Sequence, residues 1–297
     1  MHRLLKFKSG LSKILFGSLF LISSFIYGQE TQLKILSWNL YFLPKAADLS
    51  TQIQASYRKD RASEIKDFIL KNNYDVLVLQ ELFHDGSRKS LQEGLKEIYP
   101  YQYGPANHQT LEFVNHSGVM IFSKTPLTQL GVIRYENCTK VDCLVKKGAL
   151  LLEGEKEGKK FQILGTHLDS GMEKPITNSQ LEQIRILLDQ NQTSGIAQLI
   201  CGDLNLNKDD ENWYESLLQI TNSEDSNPHL KDFSPTIVDG NLHIDYVLIR
   251  KNQSQIEPLS HQISAPKSEN PKLQKGRNKA LKDHLSDHKA IEVILTL

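Results

Sequence analysis

The chain has 297 residues, with 35 Lys plus Arg against 35 Asp plus Glu and three cysteines. A formal balance of charge excludes a general electrostatic hold on nucleic acid, which needs a basic excess. Three cysteines exclude a disulfide-dense scaffold, and the length is enough for one large α/β core.

In chain order, Arg3, Lys6, Lys8 and Lys13 precede an apolar stretch from Ile14 to Tyr27 that ends at the small residue Gly28. This pattern reads as an export signal over residues 1–28, and it is short of the about 20 apolar residues that a membrane span needs. Removing it takes four basic residues and no acidic one, so Lys plus Arg falls from 35 to 31 against 35 acids and the mature net charge is −4. No Pro/Ser/Gly-rich linker divides the remainder, so residues 29–297 are expected to form a single catalytic domain.

Strand-like runs follow at LKILSW (33–38), DVLVLQ (75–80), GVMIFS (118–123), GALLLE (148–153), FQILGT (161–166), QLIC (198–201), IDYVLI (244–249) and AIEVILTL (290–297). Helical spacing occupies Arg58 to Lys71, Arg88 to Ile98, Asn178 to Asp189 and Asp210 to Ile220, with Leu181, Ile184, Leu187 and Leu188 on one face. Alternating strands and helices make an α/β protein. The strands mix continuous and alternating apolar runs, which predicts stacked sheets with helices outside. Only GEKEGKK separates GALLLE from FQILGT, so these two form an antiparallel hairpin, which a repeated strand–helix barrel does not accommodate.

Polar residues stand at the edges of these runs. Asn39 follows ILSW, Glu81 closes DVLVLQE, His167 ends FQILGTH, Asp203 and Asn205 lie in GDLN, Asp245 opens IDYVLI, and Asp287 with His288 precedes the last strand. Side chains just past strand ends converge at one rim of a sheet. Carboxylates and amides without thiolates favour a hard cation such as magnesium, while imidazoles supply acid and base groups. Hydrolysis of a phosphodiester requires that inventory: an activated water, neutralised phosphoryl oxygens and a stabilised leaving alkoxide. Glu81 with Asn39 is the candidate cation holder. Asp203 and Asn205, two apart in extended backbone, face one phosphate. Asp245, if adjacent, would fix the tautomer of His167, and Asp287–His288 would place a base at the attacking water. No Gly-x-Ser-x-Gly elbow and no Gly-rich nucleotide loop occurs. Cys138 and Cys143 lie in a polar stretch where export makes a loop-closing disulfide the expectation, and Cys201 in QLICGD reads as a small buried hydrophobe.

SWNLYFLP, DVLVLQELF, LKEIYPYQYG, SGVMIFSKTPL, KKGALLLE, GTHLDS, GDLN, IDYV and SDH occur in the order found in the bacterial sphingomyelinase C family of the endonuclease/exonuclease/phosphatase superfamily. The chain resembles that family over nearly all of residues 32–297. The resemblance implies a DNase I-like four-layer α/β sandwich of two packed mixed β-sheets flanked by helices. It implies that Glu81 binds an essential Mg2+ with Asn39 beside it, and that Asp287 is a second metal-associated or orienting carboxylate. His288 is then the general base, with Asp203 the alternative base. His167, Asp203 and Asn205 contact the phosphate, and Asp245 orients His167. The implied activity is a secreted phosphodiesterase, a monomer, cleaving sphingomyelin into ceramide and phosphocholine at a membrane surface. Rival readings are a nuclease or phosphoinositide phosphatase of the superfamily, or a catalytically silent membrane-binding relative. No stable nucleic acid partner is expected from the negative mature charge.

One departure is plain. Haemolytic members of that family carry an aromatic-rich hairpin between IDYV and SDH, whereas no Phe, Trp or Tyr follows Tyr246 here. Lys272, Lys275, Arg277, Lys279 and Lys282 occupy that stretch instead, a run suited to anionic lipid.

Overall fold

The computed structural model describes residues 30–44, 57–107, 116–171, 173–227, 234–252, 254, 256–268, 270–274 and 283–297. The expected signal segment lies outside these residues, as do Lys275, Arg277, Lys279 and Lys282. The backbone of Lys272 is described but its side chain is not.

Two six-stranded sheets pack face to face. The first contains β1 (Gln32–Phe42), β2 (Val76–Leu82), β3 (Tyr101–Tyr103), β4 (Met120–Ser123), β11 (Glu257–Ser264) and β12 (Ala290–Thr296), in the order β11-β12-β1-β2-β4-β3. The second contains β5 (Leu127–Arg134), β6 (Gly148–Lys156), β7 (Lys159–His167), β8 (Ala197–Asp203), β9 (Ser223–Asp225) and β10 (Asp245–Arg250), in the order β5-β6-β7-β8-β10-β9. Both sheets are mixed: β1 pairs parallel to β2 and β7 parallel to β8, and the other pairs are antiparallel. The helices α1 (Arg58–Asn72), α2 (Asp85–Leu95), α3 (Lys174–Gln190) and α4 (Glu211–Thr221) complete the layers, and α5 (Pro271–Gln274) is a single turn.

Three apolar clusters glue the layers. Leu33, Ile35, Val76, Val78, Leu150, Ile163, Leu199, Val247 and Val293 fill the space between the sheets. Leu36, Trp38, Leu40, Leu77 and Leu79 face Ile65 and Ile69 of α1 and Leu91 of α2. Leu151, Leu164, Ile200 and Leu248 face Leu181, Ile184 and Leu188 of α3 and Leu217 of α4. Each central strand is thus apolar on both faces, which is why these runs read as near-continuous hydrophobic stretches. The expected four-layer sandwich and the β6–β7 hairpin are both present.

The period of two along each strand places the polar rim. In β1, Leu33 and Ile35 point between the sheets, and Ser37 and Asn39 continue that face. The same alternation runs through Phe161, Ile163 and Gly165 to His167, through Ala197, Leu199 and Cys201 to Asp203, and backwards through Ile249 and Val247 to Asp245. Four functional candidates from four strands therefore enter one inter-sheet mouth. Gly165 allows the close approach, because a Cβ there would meet Val78 Cγ1 of the opposite sheet at 2.8 Å.

Candidate functional site

At the mouth, Asp203 is the hub. Its Oδ1 accepts the backbone N–H of Asn205 at 3.0 Å, and its Oδ2 accepts Asn39 Nδ2 at 3.1 Å. The same Oδ2 lies 3.4 Å from His167 Nε2 and 3.7 Å from His288 Nε2. Asp203 and Asp245 are directly paired across the β8–β10 ladder. Burial, then the neighbouring Asp245 carboxylate, pushes the Asp203 carboxyl up to about 6, against His288, Lys147 and the Asn39 amide.

The two imidazoles have different environments. His288 Nδ1 is 2.9 Å from Asp245 Oδ2, and because a carboxylate only accepts, Nδ1 carries the proton and Nε2 faces Asp203. Burial alone would lower His288, but the Asp245 and Asp203 carboxylates overcome it and raise the imidazole well above 6.5. His167 Nε2 is 3.0 Å from Lys147 Nζ, a group that only donates, so the neutral ring holds its proton on Nδ1. Burial, then Lys147 and His288, drives His167 well below 6.5. The expected pairing of Asp245 with His167 is thus corrected. Asp245 opens β10, next to β8, and the loop before β12 brings His288 across to it, while the residue just before β6, Lys147, reaches His167.

Glu81 and Asp287 form the second half of the site. Both are half-buried, and they repel one another: burial, then Asp287, raises Glu81 to about 7, with His288 and the Asn39 amide opposing. Burial likewise raises Asp287, against His288 and Arg61. Tyr41 stands beside them, raised to about 12 by burial and then by Asp287 and Glu81. Tyr41, Glu81 and Asn205 all hold left-handed backbone, with φ of 53°, 56° and 50°. Each sits at or just beyond a strand end, where the departure from extended backbone re-aims side chains that strict alternation would send elsewhere.

The donor set fits a hard cation. Glu81 Oε2 and Asp245 Oδ1 are buried carboxylate oxygens without a hydrogen-bond partner, in a structure that pairs most buried polar atoms. Glu81 and Asp287 supply carboxylate oxygens whose mutual repulsion a divalent cation relieves, and such oxygens suit a hard cation. Asp203, Asp245 and His288 also lie within 4.8 Å of one another as potential ligands. Their atoms are largely engaged with each other, so the Glu81–Asp287 side is the better fit.

All eight expected residues therefore reach this mouth. Asn205 does so through its backbone bond to Asp203, while its Nδ2 donates to Leu168 O at 2.9 Å. Lys147 was missed. Its side chain is 7% exposed, and its ammonium joins Asp142 Oδ2 at 2.9 Å, His167 Nε2 at 3.0 Å and Leu168 O at 2.8 Å. In sequence, the lysine before GALLLE is indistinguishable from a solvated strand start. Asp142 sits in the 3₁₀ turn Lys140–Leu144, which the expected Cys138–Cys143 disulfide closes, and Cys201 is a free, buried thiol. Among the described residues, no helix is long and apolar enough to cross a membrane.

The Endonuclease/Exonuclease/phosphatase family model matches residues 36–288, a span that runs from β1 to His288 and includes all eight site residues named above. The chain belongs to that family. It is similar to Sphingomyelinase C 2 of Leptospira interrogans, 28% identical over 219 residues, which covers 67% of this chain and 34% of that protein. The chain spans about a third of the length of the Leptospira sphingomyelinases that it matches. Sphingomyelinase C of Bacillus cereus is 23% identical over 308 residues, covering 91% of this chain and 90% of that one. Among solved structures, a Staphylococcus aureus beta-toxin mutant with bound magnesium ions has a TM-score of 0.70 at 23% identity, covering 89% of this chain and 99% of that chain. That likeness shows a shared fold.

Proposed function

We propose that the protein is an exported, Mg2+-dependent phosphodiesterase that hydrolyses sphingomyelin to ceramide and phosphocholine, with residues 1–28 removed and residues 29–297 acting as one monomeric catalytic domain. The observation that carries the proposal is the His288 imidazole. Its Nδ1–H is fixed on Asp245, and its Nε2 opens onto the same carboxylate, Asp203, that His167 and Asn39 approach.

In this reading Glu81 and Asp287 hold the cation with Asn39 beside them. When bound, the cation supplies positive charge that neutralises phosphoryl oxygens and opposes protonation of His288. His288 Nε2 takes a proton from water as its oxygen attacks phosphorus, and Asp245 stabilises the imidazolium formed. Lys147, held against His167, adds a fixed positive charge where the phosphoryl oxygens gather negative charge. Asn205 and the Nδ1–H of His167 are hydrogen-bond donors to the same oxygens. The bond from phosphorus to the ceramide oxygen breaks, and the alkoxide is protonated as it leaves. Asp203, raised to about 6, is the carboxyl best suited to pass that proton. The sphingomyelinase names of relatives that align across the catalytic strands support the substrate. Lys272, Lys275, Arg277, Lys279 and Lys282 would meet anionic lipid in the bilayer.

Purified mature protein should be offered sphingomyelin, phosphatidylcholine, a phosphoinositide and duplex DNA in parallel, with Mg2+ or with EDTA. The proposal expects phosphocholine from sphingomyelin in the Mg2+ arm only. Cleavage of DNA or the phosphoinositide without sphingomyelin turnover would overturn the lipid assignment.

A further inference from the structure

Arg61 is one of the side chains by which the helical layer reaches the strand ends at the site, beside Arg58 on Leu43 O and Arg88 on Leu82 O. Arg61 of α1 is 3% exposed, and its guanidinium is bound entirely to main-chain carbonyls. Nε and Nη2 donate to Leu285 O at 2.9 and 2.7 Å, Nη2 donates to Leu40 O at 2.6 Å, and Nη1 donates to Tyr41 O at 3.3 Å. The cation also lies 4.7 Å from the centre of the Phe42 ring. Among the described residues no ion pair to Arg61 occurs. The Asp287 carboxylate favours the Arg61 charge without forming a direct ion pair, yet burial still lowers the guanidinium to about 10; an apolar side chain of similar volume would fill the space more cheaply if packing were its only task.

The three carbonyls identify that task. Leu40 and Tyr41 directly follow Asn39, and Leu285 is followed by Ser286, Asp287 and His288. The same two segments are also joined by Ser286 Oγ to Asn39 O at 2.7 Å and by Trp38 Nε1 to His288 O at 2.9 Å. We propose that Arg61 is a positioning residue for hydrolysis: it clamps the Leu285–His288 segment onto the end of β1 and so sets Asp287 and His288 against Asn39. The proposal rests on the hydrolytic reading of the site but not on the identity of the lipid. A planar fork reaches three splayed carbonyls from a fixed position, which the point charge of a lysine cannot do.

The test compares mature wild-type protein with Arg61→Lys, which keeps the charge, and with Arg250→Lys. Arg250 is a control, buried at the far end of β10 on Gln198 and Asp189. Three readouts are taken: kcat and KM on sphingomyelin in mixed micelles, the Nδ1–H proton resonance of His288 in EDTA, and Mg2+ affinity by calorimetry without substrate. For Arg61→Lys, kcat should fall by about tenfold or more with KM nearly unchanged, the His288 resonance should move or broaden, and Mg2+ binding should weaken. Arg250→Lys, at a comparable loss of Tm, should preserve all three. Wild-type kcat and an unmoved resonance in Arg61→Lys would overturn the proposal, as would equal losses in Arg250→Lys. If wild type does not turn over sphingomyelin, the assigned function fails, while the resonance and Mg2+ affinity still decide the role of Arg61.

Discussion

At the scale of single residues, the site is a set of opposed titration shifts. His288 is drawn up and His167 pushed down although their Nε2 atoms approach the same Asp203 oxygen, because one ring meets carboxylates and the other an ammonium. Lys147→Met removes the second-largest cause of the His167 depression, so NMR titration should place the His167 pKa higher than in wild type. An unmoved His167 would sever the link between the two. The same variant should lose about 10²-fold in kcat through the lost charge at the phosphate. Glu81 gives a signed test of the carboxylate pair. Its folded value, about 7, exceeds the ordinary glutamate value of 4.5, so wild-type protein without metal loses stability as pH rises from 4.5 to 7. Glu81→Gln should therefore be the more stable protein at pH 7.5 in EDTA, by on the order of 2 kcal/mol, with the gap closing near pH 4.5. Added Mg2+ should raise wild-type Tm and not that of the variant.

At the scale of elements, what was legible follows from burial. The eight core strands could be read because both faces of each are covered, which forces apolar runs. β5 and β11 were not legible. They are edge strands whose burial patterns are mostly exposed or intermediate, so LTQLGVIR and EPLSHQIS look like loops. β3 and β9, of three residues each, are too short to show a period. The site residues were legible as strand terminators, but their pairing was not, since Asp245 with His288 depends on how the last loop crosses to the second sheet. Arg61 was hidden for the opposite reason: a basic residue within a helical pattern reads as solvated, and only the packed layers show it facing inward. The GDLN turn supplies an element-scale prediction. Gly202 has φ of 153°, and a Cβ there would lie 2.0 Å from Thr166 O of the parallel neighbour β7. Gly202→Ala should force β7 and β8 apart, cost about 2–4 kcal/mol in denaturant unfolding, and cut activity by displacing Asp203 from His167. Unchanged stability would mean that the strands yield without strain.

At the scale of the whole molecule, the two sheets pack face to face with the candidate site residues gathered at one mouth between them. Between Tyr246 and Ser286 the sequence has no Phe, Trp or Tyr and carries the basic run Lys272, Lys275, Arg277, Lys279 and Lys282. Charge reversal at Lys275, Arg277 and Lys279 should weaken sedimentation with anionic vesicles more than with neutral ones, by about 1 kcal/mol per residue at low salt. Equal loss on both vesicle types would remove electrostatic docking from the account. The central claim is that distant strand ends build one hydrolytic centre around His288. Its most direct test is the initial rate of phosphocholine release from sphingomyelin in Mg2+ by wild type and by His288→Ala, with folding verified by circular dichroism. The account predicts a wild-type rate abolished by EDTA and a variant rate lower by about 10³-fold or more. A folded His288→Ala protein with near-wild-type turnover would contradict it.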